Sequence, residues 1–175
     1  MPSKNQPPSA DELEISLFGP GYGEAVLVHV GNNEWLAIDS CSRAGVCAPL
    51  SYLEQLRIDV STAVKTIIIS HWHDDHIKGL AQLYTRAAAA ELVYPAAFQD
   101  EIFQAFIDAY RDGDASPFGA ETSEAAQVFK HLVEAKRTPV PALADLLFYR
   151  TGLCNAYALS PSAEAFSRFC AMLVD

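Results

Sequence analysis

The sequence has no apolar run long enough to cross a bilayer. Stretches such as Thr66 to Ile69 and Ala87 to Ala90 fall far short of the roughly 20 residues that a membrane helix needs. Its opening, MPSKNQPPSADELE, lacks the apolar core of a secretion signal, and its Pro, Ser and Asn content predicts a disordered leader over residues 1–12. Cysteine is sparse: Cys41, Cys47, Cys154 and Cys170 include no C-x-x-C pair. With no export signal they read as reduced thiols of a cytoplasmic protein, and the Cys41–Cys47 spacing matches no common zinc framework. Positive charge is scarce as well. Lys and Arg total 12 against 22 Asp and Glu, a net charge of −10. This balance disfavours nucleic acid and anionic membranes as partners, because a surface of the same sign repels them. No repeat and no internal linker is visible.

The remaining composition is that of one globular domain. Half of the residues are apolar and 19% are charged, over a length of 175 residues. Leu13 to Phe18 alternates apolar and polar positions, and Glu24 to Val30 and Glu34 to Asp39 follow as strands around the turn Gly31-Asn32-Asn33. FGPGYG (18–23) reads as a tight turn. Leu50, Leu53 and Leu56 predict a helix over Pro49 to Arg57. The β-branched run Thr66 to Ser70 predicts a buried strand. Helices are expected over Ile77 to Ala88, Ala96 to Tyr110 and Thr122 to Lys136, with a strand at Glu91 to Tyr94 and a loop at Asp112 to Gly119. Short strands at Asp145 to Tyr149 and Asn155 to Leu159 precede a last helix capped by Ser160, with Pro161 in its first turn. Alternating strands and helices predict an α/β fold.

The segment SHWHDDHIKGL (70–80) gathers three of the chain's five histidines and two aspartates. It leaves the C-terminal end of a predicted strand, where open α/β sheets place their sites. In an extended segment, alternate side chains share a side, so His71 and His73 converge and Trp72 points away. Asp75 and His76 are placed to address a second ion nearby. Imidazole suits zinc or iron, and a carboxylate adds charge that stabilises a dication.

The H-x-H-x-D-H pattern of His71, His73, Asp75 and His76, after a β-branched strand and before Gly79 and a helix, resembles the signature of the metallo-β-lactamase fold superfamily. LAIDSC is similar to that family's strand ending in Asp, here Asp39. FGPGYGEAVLVHVGNNEWLAIDS also resembles, more weakly, the opening of the metallo-hydrolase domain of DNA-uptake (competence) proteins. The resemblance implies a metallo-β-lactamase-like αββα sandwich, of which residues 13–175 hold the N-terminal half plus a helical insertion. It implies that His71, His73, Asp75 and His76 bind metal, that Asp75 is also catalytic, and that Asp39 supports the loop from behind. Zn2+ is the expected cofactor, since diiron members of the superfamily carry Glu where His73 stands. Two ions are expected in a complete site, and one or none in this chain alone.

The implied activity is hydrolysis by a metal-bound hydroxide, on a small-molecule ester, thioester, amide or phosphodiester. Two alternatives stay open. One is a nuclease or phosphodiesterase, which the charge disfavours. The other is a non-catalytic metal-binding or partner module, because the family's distal ligands have no counterpart here. His29 reads as a packed strand histidine and His131 as a surface helix histidine. Asp112 and Asp114 read as a solvated turn, Lys78 as a solvated lysine, and Asp74 has no assigned role. The missing ligands would come from a second half of a longer protein or from another chain, such as a further copy in a homo-oligomer, or the site would work with fewer ligands.

Overall fold

The computed structural model describes residues 6–19, 23–71, 74–96 and 123–172. The chain opens with three antiparallel strands, β1 (Leu13–Phe18), β2 (Ala25–Val30) and β3 (Trp35–Ile38). The β2–β3 turn carries positive φ at Gly31, Asn32 and Asn33. Gly and Asn tolerate that conformation best, which is why this tripeptide sets the register of the hairpin. A small hairpin, β4 (Ser42–Arg43) and β5 (Val46–Cys47), leads into α1 (Ala48–Gln55). A single turn, α2 (Val60–Ala63), is capped by the Asp59 carboxylate, which accepts from Ser61 N at 3.1 Å. Then come β6 (Val64–Ile68), α3 (Asp74–Ile77), α4 (Leu80–Arg86) and β7 (Glu91–Pro95). After residues 97–122 follow α5 (Ser123–Glu134), β8 (Val140–Ala142), the hairpin β9 (Leu147–Arg150) and β10 (Asn155–Tyr157), and α6 (Ala163–Met172).

Six strands form the central sheet in the order β1-β2-β3-β6-β7-β8. β1 to β3 are antiparallel, and β3, β6, β7 and β8 run parallel. This is a mixed α/β architecture, as the alternating elements predict. One sheet face carries Leu27, Trp35, Ala37, Ile67 and Leu92, all buried. They pack with Leu50 and Leu53 of α1, Leu80 and Leu83 of α4, and Val128 and Leu132 of α5 in one core. Each fully buried Leu or Ile there contributes about 1.5–3 kcal/mol. The β9–β10 hairpin lies over part of the other face, where Tyr149 donates to Glu34 Oε2 at 2.8 Å. Leu13, Ile15 and Leu17 on that face remain 64%, 61% and 78% exposed.

Several details depart from the sequence expectation. The helix expected over Ile77 to Ala88 is two pieces, because Gly79 adopts φ +87 and ends the first turn. The strand expected at Thr66 to Ser70 starts and ends earlier, at Val64 and Ile68, so Ser70 has left the sheet. The cap of α6 is Ser162, whose Oγ accepts from Ala165 N at 3.1 Å, and not Ser160. Residues of the expected leader are held: Ala10 O accepts from Asn32 N at 2.7 Å, and Glu12 N donates to Ser9 O at 3.0 Å. The short elements α2, β4, β5 and β8 carry too few residues for a periodic signal. The predicted helix at Ala96 to Tyr110 and the loop with Asp112 and Asp114 lie outside the described residues. Among the described residues, no helix is long and apolar enough to cross a membrane.

Candidate metal centre

The parallel strands β3 and β6 end side by side, with Asp39 N donating to Ile68 O at 2.8 Å. At that point Asp39 takes φ +58, a left-handed conformation that Asp tolerates better than most residues. The side chain is only 5% exposed, yet its charge is well satisfied. Oδ1 accepts from Ser70 N at 2.7 Å, and Oδ2 accepts from Ser70 Oγ at 2.5 Å and from His76 Nδ1 at 2.8 Å. Ser70 Oγ also lies 2.9 Å from His71 Nδ1.

The network fixes the imidazole tautomers. An ionised carboxylate only accepts, so His76 Nδ1 must carry a proton. Ser70 Oγ gives its own proton to Asp39, so it accepts from a protonated His71 Nδ1. A ring anchored through a protonated Nδ1 carries, in its neutral form, its lone pair on Nε2, the arrangement in which a histidine binds a metal while its other nitrogen is anchored. The two ring centroids are 3.8 Å apart. Asp39, His71 and His76 each offer a ligand-type atom within 4.8 Å of the others. Both Asp39 oxygens are already engaged, so its part here is to hold the two histidines.

The turn bearing Asp75 and His76 is clamped by backbone. Ser40 N donates to His76 O at 2.7 Å, and Glu24 N donates to Asp75 O at 2.9 Å. Gly23 has φ +92, and a Cβ there would sit 2.5 Å from Asp75 O, so only glycine permits this approach. From α5, Glu124 accepts from Gly79 N at 3.1 Å and from Ala81 N at 3.2 Å, satisfying amides at the start of α4. Behind the loop, burial and then the Cys47 thiol push Cys41 up to about 11. Burial likewise raises Cys47.

Of the residues picked out by the sequence, Asp39, His71 and His76 come together. Asp75 stands beside them, its Oδ2 3.7 Å from His76 Nε2. His73 lies outside the described residues. His29 is buried, with Nδ1 2.7 Å from Glu12 O and its ring against Trp35, as a packed histidine should be. His131 lies 3.8 Å from Glu134 on α5 and is not in the metal-type group. Ser70, Glu24 and Glu124 were missed. Ser70 is signalled only by its place between strand and motif, and Glu24 only by the turn GYGEA. A cavity of about 470 Å3 opens beside the centre, bordered by Phe18, Glu24, Val26, Ile38, Ser70 and His76. A second, of about 480 Å3, has apolar walls that include Ile68, Phe148 and Tyr157, and it shares Ile38 and Ser70 with the first.

No family model matches the chain, and no curated protein matches it in sequence. Among solved structures it is similar to a metallo-β-lactamase from Cronobacter sakazakii with a HARLDQ motif, at 19% identity and a TM-score of 0.47, covering 79% of this chain and 44% of that one. It is similar to the Rm3 metallo-β-lactamase at 19% identity and a TM-score of 0.45, covering 84% of this chain and 49% of that one. It is also similar to the subclass B3 metallo-β-lactamase of Bradyrhizobium japonicum at 19% identity and a TM-score of 0.37, covering 54% of this chain and 36% of that one. The chain thus spans between about a third and a half of the length of these proteins. None of the three is a DNA-uptake protein. All three are metallo-β-lactamases, the family whose signature His71 to His76 resembles.

Proposed function

We propose that this chain carries the metal-holding part of a zinc-dependent hydrolase acting on a small-molecule ester, thioester, amide or phosphodiester. One observation supports this reading above the rest. A single buried carboxylate, Asp39, anchors His76 directly and His71 through Ser70, both through Nδ1, which leaves each Nε2 outside that network. A packed or surface histidine pair has no need of that arrangement. The donor set of two imidazoles and the nearby Asp75 carboxylate suits zinc.

His71, His76 and Asp75 would hold the zinc ion, which when bound would supply Lewis acidity and lower the pKa of a water toward about 7. The protein's own contribution is orientation. Asp39 would keep the rings in the metal-binding tautomer, and Asp75, 3.7 Å from His76 Nε2, would accept a proton or orient a nucleophile. His73 completes the motif as a further ligand. Phe18, Val26 and Ile38 give one side of the adjoining cavity an apolar wall.

A second reading is a metal-binding module without catalysis. It is favoured by the size of the described group, three residues of which one is already committed to hydrogen bonds. A panel of a nitrophenyl ester, a thioester, a β-lactam and bis-nitrophenyl phosphate, each run with the zinc-loaded chain and with His76→Ala, separates the readings. Hydrolysis that disappears in the variant is expected. Equal rates in the two proteins on every substrate would sink the hydrolase reading for this chain.

A further inference from the structure

Glu24 takes part in the site through its backbone, which clamps the turn of Asp75 and His76, and as a border of the adjoining cavity. Its side chain also reaches the centre. Glu24 Oε1 lies 3.9 Å from His76 Nε2, on the side of the ring opposite its anchored Nδ1. Asp75 Oδ2 approaches the same nitrogen at 3.7 Å. Two ligands of one zinc ion, with bonds of about 2.1 Å at a tetrahedral angle, stand about 3.4 Å apart. Both carboxylates are therefore near the separation from His76 Nε2 that shared coordination requires.

The backbone delivers Glu24 firmly. Its N–H donates to Asp75 O at 2.9 Å, which ties the start of β2 to the turn that carries Asp75 and His76. Gly23 makes the approach possible, since any Cβ there would meet Asp75 O at 2.5 Å. The carboxylate itself is 76% exposed, so packing does not hold it in this one orientation. It also borders the cavity that contains Asp39, Ser70 and His76.

We infer that Glu24 is a ligand of the metal ion held by His76, an inference that rests on the metal-binding reading above. It supplies, from the residue that precedes β2, a carboxylate that the H-x-H-x-D-H segment does not contain. Its carboxylate would add one negative charge there, which favours a hard or borderline dication; the group already within 4.8 Å consists of Asp39, His71 and His76, so Glu24 would join it by side-chain rotation.

The test is zinc affinity of the whole chain, measured by competition with a chromophoric chelator at low and at high salt, for wild type, Glu24→Gln and Glu24→Asp. Removing an outer hydrogen-bond partner of a metal ligand costs about 10–100-fold in affinity, and removing a ligand should cost at least about tenfold. Glu24→Gln is expected to weaken zinc by that factor at both salt concentrations, with an unchanged melting temperature before zinc is added. Glu24→Asp is expected to fall between the two. A loss that vanishes at high salt would mean that Glu24 acts only as a distant charge, and would overturn the inference. Equal affinity in wild type and Glu24→Gln would overturn it too, while leaving the metal-binding reading standing. A wild-type chain that takes up no zinc would overturn both.

Discussion

Asp39→Asn is the substitution that isolates the centre's support from its ligands. Asn tolerates the left-handed φ of +58 at this position, so the backbone has no reason to move. The amide oxygen can still accept from Ser70 N. The NH2 group, however, then occupies the place of Oδ2, which accepts from both Ser70 Oγ and His76 Nδ1. Two donors would face each other at His76. The ring escapes by moving its proton to Nε2, and that removes the lone pair a metal needs. The lost charge-assisted bond costs about 1.5–3 kcal/mol of stability. Loss of an anchor behind a metal-binding histidine costs about 10–100-fold in affinity. Urea unfolding without zinc reads the first effect, and chelator competition reads the second. If Asp39→Asn binds zinc within about twofold of wild type, the tautomer reasoning is wrong, since that reasoning requires a loss of at least about tenfold.

Three further outcomes are expected. Gly23→Ala places a Cβ 2.5 Å from Asp75 O at a φ of +92, and should cost about 1–3 kcal/mol or more and weaken zinc binding; chemical unfolding with zinc titration checks both. Glu124→Ala removes the acceptor for Gly79 N and Ala81 N, and should cost about 1 kcal/mol, the usual worth of a lost helix cap, read as a lower melting temperature. Cys41, buried and pushed up to about 11, should resist iodoacetamide at pH 8 in the folded chain and react readily in urea. Because its folded value lies above the ordinary 9.0, its contribution to stability is complete below about pH 9 and is lost as pH rises toward 11, which unfolding curves across that window would detect.

The fold was legible where the period was long enough to repeat. β1 to β3 follow from alternation and from the Asn-rich turn, and α1 from the spacing of Leu50, Leu53 and Leu56. Single turns such as α2 and two-residue strands such as β4 and β5 carry no period, and the break at Gly79 depends on a left-handed φ that composition does not announce. In the site, Asp39, His71 and His76 could be read from the segment and its preceding strands. Ser70 could not, because a serine at a strand end has many uses and its value here lies in bridging Asp39 to His71. Glu24 was hidden for a different reason. Its partner is fifty or so residues away in sequence, and only the antiparallel return of β2 and the missing side chain at Gly23 bring the two together.

The central claim is that His71 and His76, held by Asp39, bind a metal ion. The most direct measurement is elemental analysis of the purified chain after zinc loading and desalting, beside His71→Ala and His76→Ala. The account expects at least about one zinc per wild-type chain, consistent with a single ion shared by these ligands, and a clear loss in either variant, with the same zinc-free melting temperature for His71→Ala as for wild type. Wild-type protein that emerges without zinc, or variants that retain as much as wild type, would contradict it.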